Sequence, residues 1–144
     1  MTRILIAIDG SKHSAKVVKA AIRHVGQYRE TPELHLTFVH LPVPALHGAF
    51  GGVGAKALQR YYREEGTDAL APSAALLERA KLACTTHIMV GPIAETIVGQ
   101  AKKLKCDTIL MGTHGVGAVS GILLGSVAAK TVHLSECPVT LIRT

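Results

Sequence analysis

The sequence predicts a single α/β domain in which an open parallel sheet is covered by helices on both faces. Five short apolar runs rich in β-branched residues alternate along the chain with segments whose apolar residues recur at helical spacing. Strands that alternate with helices in this way pair in parallel through right-handed crossovers. The composition agrees, because 48% of the 144 residues are hydrophobic and only 3% are aromatic, as in cores built from buried Val, Ile and Leu strands. We expect one domain spanning residues 1–144.

The first predicted strand and helix open the chain. Residues 3–8 form an apolar run that indicates a central strand, and Asp9, Gly10 and Ser11 then turn the chain. A helix is predicted over residues 11–28. It carries an apolar stripe, Ala15, Val18, Ile22 and Val25, and on another face a row of basic residues, Lys12, Lys16, Lys19 and Arg23.

A second strand is predicted over residues 33–41, before a segment rich in glycine and proline. We interpret that segment, residues 42–54, as a lid or a mobile loop. Residues 55–83 predict a helix, in which Gly66 and Pro72 predict a break or kink. The side chains expected to face the core are Leu58, Tyr62, Ala69, Leu76, Leu77 and Ala80.

The second half of the chain continues the alternation. Pro92 lies near a helix start, where its missing N–H costs nothing. That helix is expected to pack through Ile93, Ile97, Ala101 and Leu104. The elements predicted here are strands over residues 85–90, 106–111 and 138–142 and helices over residues 93–105 and 127–134.

The stretch that joins the fourth strand to the last helix, residues 111–126, is rich in glycine. A strand, a glycine-rich loop and a helix N-terminus in succession favour anion binding, because the first N–H groups of a helix lack internal partners. Glycine also lets the backbone approach a phosphate with no Cβ in the way. We therefore predict a cradle for nucleotide phosphates. If the first and fourth strands are neighbours, Asp9 faces the same crevice.

Charge, cysteine content and hydropathy limit the other functions. The net charge of +6 suits a nucleotide ligand or a soluble surface, and the lack of Trp argues against nucleic-acid binding. The three cysteines form no Cys-x2-Cys pair, which indicates reduced thiols and a cytoplasmic protein without a signal peptide. Residues 108–129 contain no charged side chain, but their glycines, serines and histidine argue against a membrane span.

The histidines predict no metal site. His35 and His40 should point to opposite faces of their strand. Four other histidines have no partner at the spacing of metal ligands, and we expect them to be surface or satisfied residues. These four are His13, His24, His47 and His87.

Two common nucleotide motifs can be tested directly against the glycine pattern. A Walker P-loop needs a lysine after its last glycine, and Gly125-Ser126 lacks one. A dinucleotide fingerprint would follow the first strand, where residues 9–13 do not match it. Neither motif explains the site.

The pattern that is present is Gly112-x2-Gly115-x9-Gly125-Ser126. With this spacing the chain resembles the universal stress protein family, whose ATP-binding members carry G-x2-G-x9-G-[ST] after the fourth strand. The resemblance extends over nearly the whole chain. It includes the first strand with its final Asp9, the segments over residues 90–97 and 106–113, and the Cys137-Pro138-Val139 strand.

The resemblance implies a Rossmann-like fold of the adenine-nucleotide alpha-hydrolase type, with sheet order 3-2-1-4-5. It also implies ATP in the crevice, carried with Mg2+ or Mn2+. Asp9 would lie near the ribose and the phosphate-bound metal, and Ala7 and Leu41 would line the adenine pocket. The positions that match the family's nucleotide contacts are Ala7, Asp9, Leu41, Met111, Gly112, His114, Gly115, Gly125, Ser126 and Val127.

Within this set, the resemblance assigns different parts of the nucleotide to different residues. Met111 and Gly112 would pass under the nucleoside. The phosphates would be held by the Ser126 hydroxyl and by backbone N–H groups. These groups belong to Gly115, Gly125, Ser126 and Val127. Two residues stay open. His114 either donates to a phosphate or is an exposed loop residue, and Asp9 has an alternative role as the N-cap of the first helix.

The predicted function is an ATP-binding regulatory or protective module in the stress response, with slow ATP hydrolysis at most. The sequence shows no nucleophile paired with a base. Alternatives are a nucleotide-free dimeric interaction module of the same family, or an adenylate-transferring enzyme of the same nucleotide-binding group. We also expect a homodimer formed through the edge strand, residues 139–142.

Overall fold

The computed structural model describes residues 1–44, 54–115, 121 and 123–144. Strands and helices alternate throughout these ranges, as predicted. The strands are β1 (Arg3–Ile8), β2 (Glu33–His40), β3 (Cys84–Val90), β4 (Thr108–Gly112) and β5 (Val139–Ile142). The helices are α1 (Ser14–Val25), α2 (Gly54–Arg79), α3 (Ile93–Lys103) and α4 (Ser126–Leu134).

The strands form one parallel sheet in the order β3-β2-β1-β4-β5, which confirms the predicted fold class and strand order. The strand order reverses between β1 and β4. Ala7 lies in register with Met111 on β4 and with Thr37 on β2. The carboxyl ends of these three central strands therefore meet at one edge of the sheet.

The two faces of the sheet carry separate cores, which follow from the alternation of side chains along β1. Ile4, Ile6 and Ile8 pack with the side chains of α1 and α2. Leu5 and Ala7 face the opposite way, toward α3 and α4. Because alanine is the smaller of these two, the second face has room near the carboxyl end of β1.

Helix α1 begins later than predicted, at Ser14 rather than at residue 11. The turn after β1 is closed by side chains, so residues 11–13 remain outside the helix. The buried face is also rotated relative to the predicted stripe, since Ala15 and Ile22 are only partly buried. The residues of α1 that are buried are Ser14, Val17, Val18, Ala20, Ala21 and Val25.

Helix α2 runs without a break through Gly66 and Pro72, so the predicted break is wrong. Leu70 and Leu77, which flank the proline, are 4% and 0% exposed. Their burial on both sides outweighs the hydrogen bond that a proline removes. Ala80 lies beyond the helix and is exposed, contrary to prediction.

Other boundaries differ from the predictions by at most four residues, and the largest difference is at the end of α2. Of the segment that we interpret as a lid or loop, residues 45–53 lie outside the described residues, as do residues 116–120 and 122 of the glycine-rich stretch. Within the described part of the chain, no helix has both the length and the hydropathy that a membrane span requires.

Candidate functional site

A cavity of about 850 Å³ opens at the carboxyl ends of β1, β2 and β4. Its floor is the sheet, and α3 and α4 contribute side walls through Ile97 and Val127. The start of α1 borders the mouth. In open parallel sheets, ligands bind at this place, where the strand order reverses.

All ten residues of the predicted nucleotide site line this cavity. They come from six separate stretches of the chain. The residues are Ala7, Asp9, Leu41, Met111, Gly112, His114, Gly115, Gly125, Ser126 and Val127. The structure thus brings the whole predicted set together, while contact with a nucleotide stays a prediction.

The inner part of the cavity is apolar. Ala7 and Met111 are paired in register on the floor and are 7% and 5% exposed. Leu41, by contrast, lies at the rim and is 56% exposed. Val39 is two residues earlier on the same face of β2, is 7% exposed, and forms the inner wall on that side. An aromatic ring placed on this floor would therefore contact Val39 more closely than Leu41.

Sequence reasoning missed several residues that line the cavity: His13, Ser14, Thr37, Val39 and Thr113. For Thr37 and Val39 a signal was available, because residues at odd positions of β2 share a face with Leu41. For His13 and Ser14 no such signal exists, since their position depends on how the turn after Asp9 closes.

Asp9 shapes this turn rather than capping α1. Its Oδ1 accepts hydrogen bonds from the backbone N–H of Ser11 at 2.9 Å and from Ser14 Oγ at 3.2 Å. Ser14 Oγ also accepts from the N–H of Gly10, whose φ of +77° favours glycine. The N-cap of α1 is His13, and no side chain caps it in the described contacts. The alternative role of Asp9 as helix N-cap is therefore wrong.

The second carboxylate oxygen of Asp9 lies against the glycine loop, the stretch between the end of β4 at Gly112 and the start of α4 at Ser126. A Cβ placed on Gly115 would overlap Asp9 Oδ2. The glycine at this position is thus required by the close approach of a carboxylate. Asp9 is the sole carboxylate among the described residues that line the cavity.

The ends of the glycine loop are held together at its base. Gly125 N–H donates to the Thr113 carbonyl at 2.7 Å, and Thr113 N–H donates to the Ile142 carbonyl at 2.9 Å. A Cβ on Gly125 would lie 3.0 Å from the Thr113 carbonyl oxygen. The Gly125 amide, predicted to hold phosphate, is therefore already engaged. Its role is to let the two ends of the loop approach each other.

Helix α4 starts directly after this contact. Gly125 is its N-cap, in an extended conformation with φ −69° and ψ 161°. The first turn of α4 contains no acidic residue. N–H groups of a first helical turn have no partner within the helix and lie at the positive end of its dipole. Ser126 and Val127 supply such groups at the cavity wall.

Thr144 fastens the loop to the end of β5. Its Oγ1 accepts from His114 N–H at 3.2 Å and donates to the His114 carbonyl at 3.3 Å. Its own N–H donates to Thr113 Oγ1 at 3.2 Å. This contact could not be predicted from the sequence, because the partners are 30 residues apart.

Three imidazoles, those of His13, His40 and His114, border the cavity. His114 Nδ1 lies 3.2 Å from Thr113 Oγ1, and His40 Nδ1 lies 2.6 Å from the Leu41 carbonyl. No group of three or more His, Cys, Asp or Glu residues in the described ranges could hold a metal ion.

His87, expected to be a surface or satisfied histidine, has another histidine as its partner. His35 Nδ1 lies 3.0 Å from His87 Nε2, and His35 Nε2 lies 3.1 Å from Glu33 Oε1. Burial lowers the pKa of His87, and the neighbouring His35 and Lys103 lower it further. His35, His87 and Glu33 are not among the described residues that line the cavity.

Sequence comparison identifies relatives over almost the whole chain. The model of the universal stress protein family matches residues 1–143. A universal stress protein of Thermus aquaticus is 33% identical over 142 residues, which cover 97% of each chain. Another, from Methanocaldococcus jannaschii, is 30% identical over 141 residues, covering 98% of this chain and 81% of the relative.

Solved structures share the fold. Universal stress protein UspA from Lactobacillus plantarum superposes with a TM-score of 0.81 at 22% identity, over 99% of this chain and 97% of that chain. Two further structures contain nucleotides. The Archaeoglobus fulgidus universal stress protein, in complex with dAMP, has a TM-score of 0.67 at 19% identity, over 99% and 98% of the two chains. A universal stress protein family protein from Arabidopsis thaliana, with AMP bound, has a TM-score of 0.70 at 16% identity. The match covers 99% of this chain and 92% of that chain.

Proposed function

Because the chain belongs to the universal stress protein family, we propose that it is an ATP-binding member that acts as a regulatory or protective module in the stress response. One observation carries this proposal. An apolar floor, a carboxylate and a glycine loop that leads into a helix N-terminus surround a single cavity. These are the surfaces that a purine, a ribose and a chain of phosphates need.

In the proposed complex, the adenine lies on the floor of the cavity. Ala7 and Met111 contact one side of the nucleoside, with Val39 as the inner wall and Leu41 at the rim. Gly112 ends β4 at this point and lies in the cavity wall beneath the proposed nucleoside. The adenine nucleotides in the related structures, dAMP and AMP, support a base and one phosphate in this fold.

The phosphates follow the loop toward α4. Ser126 and Val127 offer backbone N–H groups, and Ser126 adds a hydroxyl. Gly115 and Gly125 let the loop lie close to Asp9 and to the Thr113 carbonyl beside this path. His114 borders the same region, and in the proposed complex it donates to a phosphate oxygen. The glycine spacing, rather than the relatives with AMP or dAMP, is what supports a triphosphate.

The lining residues fit a divalent cation that arrives with the nucleotide. Mg2+ and Mn2+ prefer oxygen ligands, and Mg2+ is usually bound by one or two carboxylates together with substrate phosphates. Asp9 supplies one carboxylate, oriented by Ser11 and Ser14. Asp9 would hold the cation, and the cation would neutralise phosphate charge.

We propose that occupancy by ATP, rather than its rapid turnover, is the signal. The sequence places no nucleophile beside a general base, which supports slow hydrolysis at most. The free thiols of Cys84, Cys106 and Cys137 support a cytoplasmic location, where cysteines stay reduced. Burial raises the pKa of Cys106 to about 11, which keeps that thiol protonated.

The proposed homodimer forms through β5. Val139–Ile142 pairs with β4 on one side and is the last strand of the sheet on the other. An edge strand offers unpaired N–H and carbonyl groups to a second strand. A second copy of the chain, pairing across a two-fold axis, would cover them.

Calorimetric titration of the purified protein with ATP, ADP and AMP, each with and without Mg2+, tests the proposal. We expect saturable binding of ATP that strengthens with Mg2+. Heat exchange indistinguishable from dilution for all three nucleotides, with a ligand-free protein confirmed by mass spectrometry, would contradict it. Sedimentation in the same buffers tests the dimer, and a monomer at all concentrations would contradict that part alone.

A further inference from the structure

Thr37 lies in the middle of β2, in the floor of the cavity. It is in register with Ala7 on one side and with His87 on the other. The residue lines the cavity and is 1% exposed. A polar side chain thus occupies the innermost part of a wall that is otherwise apolar.

The hydroxyl of Thr37 has no hydrogen-bond partner among the residues that the structure describes. Buried hydroxyls in proteins nearly always have one, because leaving such a group without a partner destabilises the folded protein. The other buried threonines follow this rule. Thr108 Oγ1 donates to the Pro138 carbonyl at 3.0 Å, and Thr131 Oγ1 donates to the Val127 carbonyl at 2.8 Å.

The position of Thr37 supplies a reason for this exception. The residues around it on the cavity side, Ala7, Val39, Met111 and Ile97, carry no polar side-chain group that could pair with a ligand. A site of this kind binds a flat apolar ring well but does not distinguish one ring from another. A single buried hydroxyl changes that, because a ring lacking the matching polar atom leaves the hydroxyl unpaired.

We propose that Thr37 is a specificity-determining residue, whose Oγ1 hydrogen-bonds the edge of the purine base. This inference rests on the proposed function, since it requires the base of the nucleotide to occupy the apolar floor. A hydroxyl both donates and accepts, so it pairs with a ring nitrogen or with the exocyclic amino group of adenine. Binding of the base gives the buried hydroxyl the partner that it lacks among the described residues.

The test compares wild type with Thr37→Val and Thr37→Ser. Valine keeps the shape of threonine and removes the hydroxyl, whereas serine keeps the hydroxyl and removes the methyl group. Each protein is titrated with ATP and with ribose 5-triphosphate, which has the same phosphates but no base. We expect Thr37→Val to weaken ATP binding about tenfold and to leave the affinity for ribose 5-triphosphate unchanged. Thr37→Ser should stay close to wild type for both ligands.

Thermal unfolding without ligand separates this role from a structural one. Because the hydroxyl has no partner among the described residues, its isosteric replacement should leave the unfolding temperature unchanged or raise it. A protein that is more stable yet binds ATP more weakly would show that the hydroxyl serves the ligand.

Two outcomes would overturn the role of Thr37 while leaving the proposed function intact. One is wild-type ATP affinity in Thr37→Val, and the other is an equal loss for ATP and for ribose 5-triphosphate. Failure of the wild-type protein to bind ATP is a separate result, because it would contradict the proposed function itself.

Discussion

The carboxylate of Asp9 occupies the space in which a side chain on Gly115 would have to lie. The two residues are far apart in the sequence. They meet because they follow neighbouring strands, β1 and β4, on either side of the point where the strand order reverses. The contact brings a fixed negative charge to the loop that is proposed to hold phosphates. A cation bound between them would offset the repulsion between the carboxylate and the phosphates.

The first prediction follows from that charge. Asp9→Asn should weaken ATP binding in the presence of Mg2+ by about tenfold or more, equivalent to about 1.4 kcal/mol. In the absence of Mg2+ the loss should disappear, because the substitution also removes repulsion between the carboxylate and the phosphates. Titrations with and without the metal measure both effects.

The fold should tolerate this change. The asparagine Oδ1 can still accept from the N–H of Ser11, so the turn keeps its hydrogen bond. Unfolding in urea should therefore match wild type within about 0.5 kcal/mol. An equal loss of affinity with and without Mg2+ would contradict the proposed metal role of Asp9.

A second prediction concerns Thr144, which acts at a distance from the nucleotide. Thr144→Val removes the hydroxyl that binds His114 N–H and should loosen the loop, weakening ATP binding about three- to tenfold. Thr144→Ser retains the hydroxyl and should restore most of the affinity. Wild-type ATP affinity in Thr144→Val would contradict this role of the hydroxyl. A loss in Thr144→Ser alone would assign the effect to the methyl group, which lies beside Gly112.

Replacement of glycine by alanine should change the stability of the protein in opposite directions at two helical positions. A Cβ on Gly66 in α2 would overlap the side chain of Ile88, and Gly66→Ala should destabilise the protein by about 1–3 kcal/mol. A Cβ on Gly99 in α3 meets nothing within 4 Å, so Gly99→Ala should stabilise it by about 0.4–1 kcal/mol. Chemical denaturation measures both. Changes of the same sign would contradict the described packing of α2 against β3.

The fold should lose stability in mild acid. Burial, together with His35 and Lys103, lowers the pKa of His87 from its usual 6.5, so the unfolded chain takes up a proton more readily than the folded one. The free energy of unfolding should therefore fall as the pH drops through 6.5 toward the lower folded value, and should be highest above it.

His87→Gln isolates this contribution. The variant lacks the titrating group, so its unfolding free energy should change less between pH 7.5 and about 5.5 than that of wild type. The lowered pKa values of Glu33, held by Arg3, and of Glu95, held by Lys130, affect stability only near and below 4.5. Parallel profiles for the two proteins would contradict a role for His87.

The strands and the assembly of the site were predictable because they depend on local pattern. Apolar runs such as residues 3–8 can only be central strands in this arrangement, and the Gly112-x2-Gly115 spacing marks where β4 ends. Helix boundaries were less predictable. At the start of α1 the side chains of Asp9 and Ser14 compete with the helix for backbone partners, and sequence alone does not show which wins.

Contacts that depend on the register between strands could not be predicted from the sequence. The His35–His87 contact joins residues 52 positions apart, and it depends on the pairing of β2 with β3. Likewise, only the pairing of Ala7 with Thr37 places that hydroxyl in the floor of the cavity. Val39 differs, because its place on the same face of β2 as Leu41 could have been read from the alternation of side chains.

The central claim is that the glycine loop and the start of α4 hold the phosphates of ATP. Calorimetric titration of wild type and Gly125→Val with ATP and Mg2+ tests it most directly, with Gly99→Ala as a control for an added side chain elsewhere. Valine would crowd the Thr113 carbonyl, which lies 3.0 Å from the position of a Cβ, and would force the loop open. We predict that Gly125→Val keeps a folded circular dichroism spectrum and shows no measurable ATP binding, while Gly99→Ala binds like wild type. Equal ATP affinity in Gly125→Val and wild type would show that the phosphates lie elsewhere.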